Sequence, residues 1–256
     1  MTTLLEGTPS DEASAVLAIG RCVVKAMFVS MCARHPEGKD ADYLRWHTFD
    51  HRPEQFRLDS VRGAIRLVST PACRSSRAAS AGRFDAVDHV MTYFFADTAA
   101  MQAFNDLAVA LGGAGRIPYL LPLVERGLYG LDGMAAAPRV KVGADVLPWW
   151  PLRGAYLVVE EGSAPAGDLV NVAGVAGVWW GSGMALDPAF ATADGKPISS
   201  VAGLQISFCF LDDDPVETAQ RIATNLDERW KRTNVVPLLA GPFYTVTGED
   251  CGHHLP

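Results

Sequence analysis

Residues 43–54, YLRWHTFDHRPE, carry the densest set of reactive side chains in the chain. His47 and His51 are four residues apart, so a helix would place them one turn apart on the same face. An imidazole titrates near neutral pH, which suits it to accept or donate a proton during a reaction. We therefore expect His51 to act as a general acid or base, with His47 and Asp50 as further catalytic residues. The alternative is that His51 only packs over the open end of the fold.

The two histidines also have the spacing at which helical histidines bind a metal ion in zinc enzymes. A third ligand would be needed, for which His89, Glu54 and Asp50 are candidates. However, no glutamate follows directly after His47, as it does in metalloprotease helices. We therefore expect no metal ion at this site.

Other side chains of the same helix and of later strands could contact a substrate. In the strand-forming segment 87–96, VDHVMTYFFA, alternation places His89 and Tyr93 on one face. Arg66 could bind an acidic group of a substrate, and a tryptophan from the pair 179–180 could cover an apolar ligand. The substrate-binding candidates are Trp46, Glu54, Arg66, His89, Tyr93 and Trp180. For the strand and tryptophan candidates, burial within the protein core is the alternative interpretation.

The order of predicted elements indicates how these residues are positioned. In the first half, four strand-forming segments are expected at 25–33, 63–69, 87–96 and within 117–134. Two helical patterns lie between them, at 41–56 and 99–111. Asp40 or Asp42 could cap the first helix, and Pro53 should end or kink it.

The second half repeats this plan with one difference. Strands are expected at 154–160, 173–181, 204–211 and 235–246, and a helix at 216–232. Only residues 161–172 separate the first two of these strands, so the counterpart of the His-bearing helix should be short or absent. Any chemistry of that helix should therefore occur once per chain.

Two successive βαββαβ units predict an α+β fold with two ferredoxin-like units in tandem, at residues 20–138 and 150–247. Each antiparallel sheet would carry helices on one face only, and its other face must be covered. Two such sheets can cover each other when they pack face to face as an α+β barrel. We expect the helices outside and a ligand cavity between the sheets.

The segment 46–54, WHTFDHRPE, followed by the strand 63–68, GAIRLV, resembles the dimeric α+β barrel superfamily, and most closely its EthD-like branch. In that branch a W-x(4)-H-x-P-E helix precedes a strand that begins with glycine. The matching residues are Trp46, His51, Pro53, Glu54, Gly63, Ala64 and Arg66. Leu67 or Val68 stands where an aromatic residue often occurs. The resemblance implies a tandem fusion, in which one chain supplies both sheets that other members bring together from two subunits.

The resemblance also implies a range of activities. The superfamily includes cofactor-free monooxygenases, lactone isomerases, polyketide cyclases, dehydratases and haem enzymes, and a histidine commonly serves as acid or base in the catalytic members. By that likeness, His51 would transfer a proton in an enzyme without a cofactor that acts on a small hydrophobic or aromatic molecule, as an isomerase, dehydratase, lyase or oxygenase. The alternative is a non-catalytic binding or accessory protein of a catabolic pathway. A haem protein is disfavoured because His89 is the last histidine before the C-terminal tail.

Composition and missing motifs disfavour several other classes of function. The net charge of -7 argues against nucleic acid and anionic membrane as partners, because phosphate binding needs clustered Lys and Arg. The chain has no G-x-G-x-x-G, Walker A or G-x-S-x-G sequence, so nucleotide and serine-hydrolase chemistry are poorly supported. The five cysteines include no CxxC pair, which favours a reducing compartment. With no apparent signal peptide and no long apolar run, we expect a cytoplasmic monomer or homodimer.

Overall fold

The computed structural model describes residues 23–185, 200–249 and 251–256. The strands in these residues are β1 Ala26–Cys32, β2 Val61–Val68, β3 Ala79–Ser80, β4 His89–Phe95, β5 Leu123–Ala136, β6 Gly154–Glu161, β7 Val175–Gly183, β8 Leu204–Leu211 and β9 Val236–Thr245. The α-helices are α1 Asp40–Trp46, α2 Arg52–Gln55, α3 Pro71–Ser75, α4 Ala100–Gly113 and α5 Pro215–Arg232. A π-helix, His47–His51, joins α1 to α2, and 3-10 helices form at Gly82–Ala86, Ala144–Trp149 and Gly167–Asn171. The N-terminal segment expected to lack a signal peptide, and Cys22, lie outside the described residues.

The fold is mixed α+β with one large antiparallel sheet that closes on itself. The strand order is β2-β4-β1-β5-β7-β8-β6-β9, and β9 pairs again with β2 at Leu67–Thr245 and Val68–Tyr244. The short β3 pairs with β9 at Ala240 and Leu239, beside the part of β9 that pairs with β2. The two halves therefore join at both edges, β5 with β7 and β2 with β9, where we expected two separate sheets facing each other. Edge pairing satisfies backbone groups that separate sheets would leave open.

Both halves arrange their four strands in the same spatial order. In the first half the order is second, third, first, fourth, and the second half repeats it. Phe28 and Phe95 on the outer face of the first half pack against Met101 and Phe104 of α4. The outer face of the second half packs against α5 and the 3-10 helix Gly167–Asn171, which stands between β6 and β7.

The inside of the closed sheet is a packed apolar core. Alternate residues from the barrel strands point inward and are buried, among them Met27, Val29, Ile65, Phe94, Leu157, Trp179, Phe208 and Phe243. The Trp179 indole donates from Nε1 to the backbone oxygen of Ala144 at 2.7 Å, so its one polar group is satisfied. An eight-stranded barrel is only wide enough for its own side chains, which accounts for this dense filling.

The helix expected at 41–56 changes its winding in the middle. At its centre, the Arg52 N–H bonds to the His47 carbonyl five residues earlier, which is π-helical pairing. Regular α-helical winding resumes at Arg52, and Pro53 occupies the first turn of α2, where a missing N–H is tolerated. The helix ends at Gln55. The π-helix thus contains both histidines that the sequence singles out.

Candidate active-site pocket

A pocket of about 400 Å³ lies between the sheet and the helices of the first half. Its floor is the outer face of β2, β4, β1 and β5, and its walls come from the His-bearing helix, α4 and the segment 117–123. The expected position of the cavity, between two sheets, is therefore wrong for this pocket. Large side chains fill the barrel interior, whereas small and polar residues such as Ser30 leave room on the outer face.

Strand register arranges the pocket floor in three rows that cross the strands. The middle row is Arg66, Met91, Ser30 and Arg126. The flanking rows are Val68, His89, Cys32 and Leu123 on one side, and Ala64, Tyr93, Phe28 and Leu128 on the other. Alternation along β4 thus turns His89 and Tyr93 to one face, and that face is the one beneath the helices.

His47 and His51 present imidazoles that have no hydrogen-bond partner among the described residues. Their ring centroids are 5.3 Å apart, and both side chains line the pocket. Nδ1 of each ring is buried and has no partner in the part of the chain that the structure describes. The Trp46 ring lies 5.0 Å from the His51 ring and limits its rotation. Buried polar atoms without partners are uncommon in folded proteins, and here they point to a ligand.

Burial keeps both imidazoles neutral. Desolvation, the largest effect, lowers the pKa of His51 from 6.5 to about 4, and the charges of Arg126 and Arg66 act in the same direction, against Asp50. Burial likewise holds the pKa of His47 well below its usual value, with Arg66 as the next cause. At neutral pH each ring therefore carries a lone pair that can accept a proton.

A chain of buried polar groups borders the histidines. The Asp40 carboxylate accepts the backbone N–H of His35 at 2.7 Å and lies 2.8 Å from Nε2 of His89. Nδ1 of His89 lies 3.4 Å from Nη2 of Arg66, and Nη1 of Arg66 donates to the Tyr43 hydroxyl at 3.1 Å. Burial lowers the pKa of His89, and a neutral ring with its proton on Nε2 fits both contacts.

Among the described residues that line the pocket there are two arginines, Arg66 and Arg126, and no aspartate or glutamate. Arg66 is only 2 % exposed, its Nε has no partner, and it forms no ion pair among the described residues. Arg126 donates from Nε to the Ser30 hydroxyl at 2.8 Å, and its two terminal nitrogens make no hydrogen bond to a described residue. A buried guanidinium without a carboxylate is costly, so this charge favours an anionic ligand.

Tyr93 adds a hydrogen-bond donor to the floor. Its hydroxyl is buried without a partner, and desolvation raises the pKa of the phenol, which therefore keeps its proton. Cys32 also lines the pocket, and burial raises the pKa of its thiol. A protonated thiol is a poor nucleophile.

The structure brings most of the sequence-predicted site residues to the pocket. Those that line it are Trp46, His47, His51, Arg66, His89 and Tyr93. Asp50 and Glu54 do not line it, since they bind Arg116 at 2.9 and 3.4 Å on the solvent side of the helix. Neighbouring helical residues point about 100° apart, which turns Asp50 away from the cavity that His51 faces. Trp180 is also outside the pocket, because it packs over Gly133 and Gly167 beside the core of the second half.

Sequence reasoning missed four residues that shape the pocket. Asp40 was expected to cap a helix, but its carboxylate makes no cap hydrogen bond and contacts His89. Tyr43 lay in the helix predicted at 41–56 and was not a site candidate, yet its hydroxyl accepts a hydrogen bond from Arg66. Ser30 and Arg126 lay in predicted strands, and only strand pairing places them in line with Arg66. The motif spacing contains no signal for that alignment.

Fold and pocket together define a mixed α+β barrel protein with a ligand-sized pocket between sheet and helices. In the described part of the chain, no group of three or more His, Cys, Asp or Glu residues could hold a metal ion. The described helices also include none with the length and apolar character needed to cross a membrane.

No protein-family model and no curated protein matches this chain. Solved structures resemble it at low identity. An anthrone oxidase-like protein aligns with 88% of this chain and 92% of its own at 10% identity and a TM-score of 0.44. A candidate monooxygenase from Fusobacterium nucleatum subsp. nucleatum aligns over 88% and 95% at 9% identity and a TM-score of 0.46. One from Lactobacillus acidophilus aligns over 86% and 94% at 8% identity and a TM-score of 0.42. Likeness at this level carries no argument for an activity.

Proposed function

We propose that the pocket is the active site of an enzyme that removes a proton from a small aromatic molecule, with His51 as the base. The observation that carries this proposal is the pair of neutral, unpartnered imidazoles, His47 and His51, 5.3 Å apart in the pocket. The walls are mostly apolar and aromatic, which suits a flat hydrophobic substrate.

The reaction begins when the neutral imidazole of His51 accepts a proton from an acidic C–H or O–H of the substrate. The bond to hydrogen breaks, its electron pair moves into the conjugated system of the substrate, and an imidazolium forms. His47 lies beside this ring and shares the pocket with it. The protonated hydroxyl of Tyr93 and the guanidinium of Arg66 stabilise the anion. Such preorganised donors each contribute about 10²–10³ to the rate of enzymes that form oxyanions.

One deprotonation of this kind starts several reactions that the sequence suggests. Return of the proton at another carbon makes an isomerase, and loss of a leaving group makes a lyase or dehydratase. Transfer of electrons from the anion to oxygen makes an oxygenase. The proposal concerns the shared first step, for which the pocket residues supply the base and the anion-stabilising groups.

The low pKa of His51 favours a second candidate, a binding protein that uses the same pocket without catalysis. A base whose pKa is about 4 has little driving force to take a proton from a weak acid. In a binding protein the neutral rings would only accept or donate hydrogen bonds to the ligand.

Hydrogen–deuterium exchange separates the two candidates. The protein would be incubated in D₂O with a panel of phenols and aromatic ketones, while NMR follows the loss of ligand protons and an electrode follows oxygen. We expect exchange or turnover with at least one compound, and a loss of about 100-fold or more in His51→Gln. His253→Gln in the C-terminal tail is the matched control. Binding without exchange in both proteins would overturn catalysis and support the second candidate.

We also propose that the chain is a tandem fusion of two ferredoxin-like units, at residues 20–138 and 150–247, in the manner of the dimeric α+β barrel superfamily. The identical strand order in the two halves supports this proposal. The 3-10 helix Gly167–Asn171, in place of a long first helix, supports a shortened second unit. A split pair, expressed as 1–142 and 143–256, tests the proposal. Two soluble fragments that associate would support it, and fragments that remain unfolded when mixed would contradict it.

A further inference from the structure

We infer that the pocket selects an aromatic carboxylate, with Arg126 as the residue that binds the carboxylate group. This inference rests on the pocket being a ligand site, as proposed above, but it does not require catalysis. It is carried by the alignment of two arginines across the floor and by the unused donors of Arg126.

Arg66 and Arg126 stand at opposite ends of one row. Three strand spacings separate them, which places their Cα atoms about 14 Å apart. Each side chain points towards the middle of the row. Arg126, on β5, contacts Ser30 on β1, and Arg66, on β2, contacts His89 on β4. The guanidinium groups therefore lie closer together than their strands do, above the floor formed by Met91 and Ser30.

The two arginines differ in which donors are already in use. Both terminal nitrogens of Arg66 have contacts, with Tyr43 and His89, and this side chain is nearly inaccessible. Among the described residues, Arg126 bonds only through Nε, which leaves the outer edge of its guanidinium available for two parallel hydrogen bonds. A carboxylate matches that edge in geometry as well as in charge, and a single phenolate oxygen does not.

The charges of both arginines act within the same space. Each lowers the pKa of Cys32, where burial is the larger effect and raises it, and each lowers the pKa of His51. No acidic side chain in the described part of the chain lines the pocket to balance them. Asp40, at the start of α1, borders the pocket, and its carboxylate already contacts His89. An anion in the pocket would supply the missing negative charge.

This arrangement orients the ligand. The carboxylate binds at Arg126, and Ser30 acts as the positioning residue that fixes the guanidinium. The aromatic body then extends across Met91 towards Arg66, at the other end of the row, and towards His47 near it.

Calorimetric titration with 2-naphthoate and its neutral isostere 2-naphthamide tests the inference. We expect wild-type protein to bind the acid at least ten-fold more tightly than the amide. Arg126→Gln should remove this preference while leaving amide binding unchanged, and Arg126→Lys should retain only part of it. Arg57→Gln, which removes an exposed arginine on the solvent side of the His-bearing helix, is the matched control and should keep the full preference.

The outcomes separate this inference from the proposed function. Equal binding of acid and amide would overturn the inference and leave the proposed active site standing. Tighter binding of 2-naphthol than of 2-naphthoate, lost in Arg126→Gln, would also overturn it, because a phenolic oxygen would then be the preferred group. If none of the three naphthalene compounds and no member of the phenol and ketone panel bound, both the inference and the proposed function would fail.

Discussion

Replacement of His51 by glutamine should change how the stability of the ligand-free protein depends on pH. The folded-state pKa of His51 is about 4, whereas an unfolded chain returns the imidazole to about 6.5. Between these values the unfolded state binds one more proton than the folded state. Stability therefore falls as the pH drops from 6.5 towards 4, by about 1.4 kcal/mol per unit.

Because the pKa of His51 falls from 6.5 to about 4 on folding, the unfolding free energy should decrease by about 3 kcal/mol between pH 6.5 and 4. Partial exposure of the ring reduces this figure by an amount that depends on solvent screening. Glutamine cannot titrate, so His51→Gln should lose less stability than the wild type on acidification, even if it is less stable at pH 7. His47, whose pKa is also depressed, titrates in both proteins and cancels in the comparison.

Urea unfolding at pH 7.0, 6.0, 5.0 and 4.5 measures this difference directly, with tryptophan fluorescence as the probe. His253→Gln should follow the wild-type curve, because that ring lies in the C-terminal tail. Parallel stability curves for His51→Gln and the wild type would refute the reasoning. They would mean that His51 is solvated, and the argument for a neutral, buried base would then be lost.

Three further predictions concern residues on the two sides of the sheet. Arg66→Met removes a buried charge without a carboxylate, but it also removes the partner of the Tyr43 hydroxyl and of His89 Nδ1. These effects oppose each other, so the unfolding free energy should change by no more than about 1 kcal/mol, while 2-naphthoate binding weakens in calorimetry. Unchanged binding would contradict a role in the pocket. Tyr93→Phe should be neutral in urea unfolding, since its hydroxyl has no partner, while exchange activity falls. Trp179→Ala should lower the unfolding free energy by about 4 kcal/mol, because Trp179 fills the barrel interior and binds the Ala144 carbonyl. Its effect on pocket binding, measured below the unfolding transition, should be small.

Much of the local structure follows from sequence pattern. Period-two alternation correctly placed His89 and Tyr93 on one face of a strand, because successive side chains in a strand point to opposite sides. Helical spacing likewise placed His47 and His51 on one face. The π-helical turn between them was not predictable, since it depends on backbone pairing rather than on residue type.

The sequence alone does not show on which face of the sheet the pocket lies. Apolar residues occur on both faces of each strand here, as Met27 and Phe28 illustrate, so the pattern does not indicate which face leaves a cavity. The face that retains a cavity depends on how the side chains pack in the closed barrel. The inward side fills with residues such as Trp179, and the helix side retains a space above Ser30.

By itself, the sequence determined the residue types for proton chemistry, the mixed α+β character and the strands that carry the site. Only the tertiary structure shows that the pocket contains two positive charges. Arg66 and Arg126 are far apart in the chain, and antiparallel pairing through β4 and β1 brings them into one row. Tertiary packing also places the Asp40 carboxylate against His89. Contacts of this kind depend on register between strands, and register is set by the packing of the whole sheet.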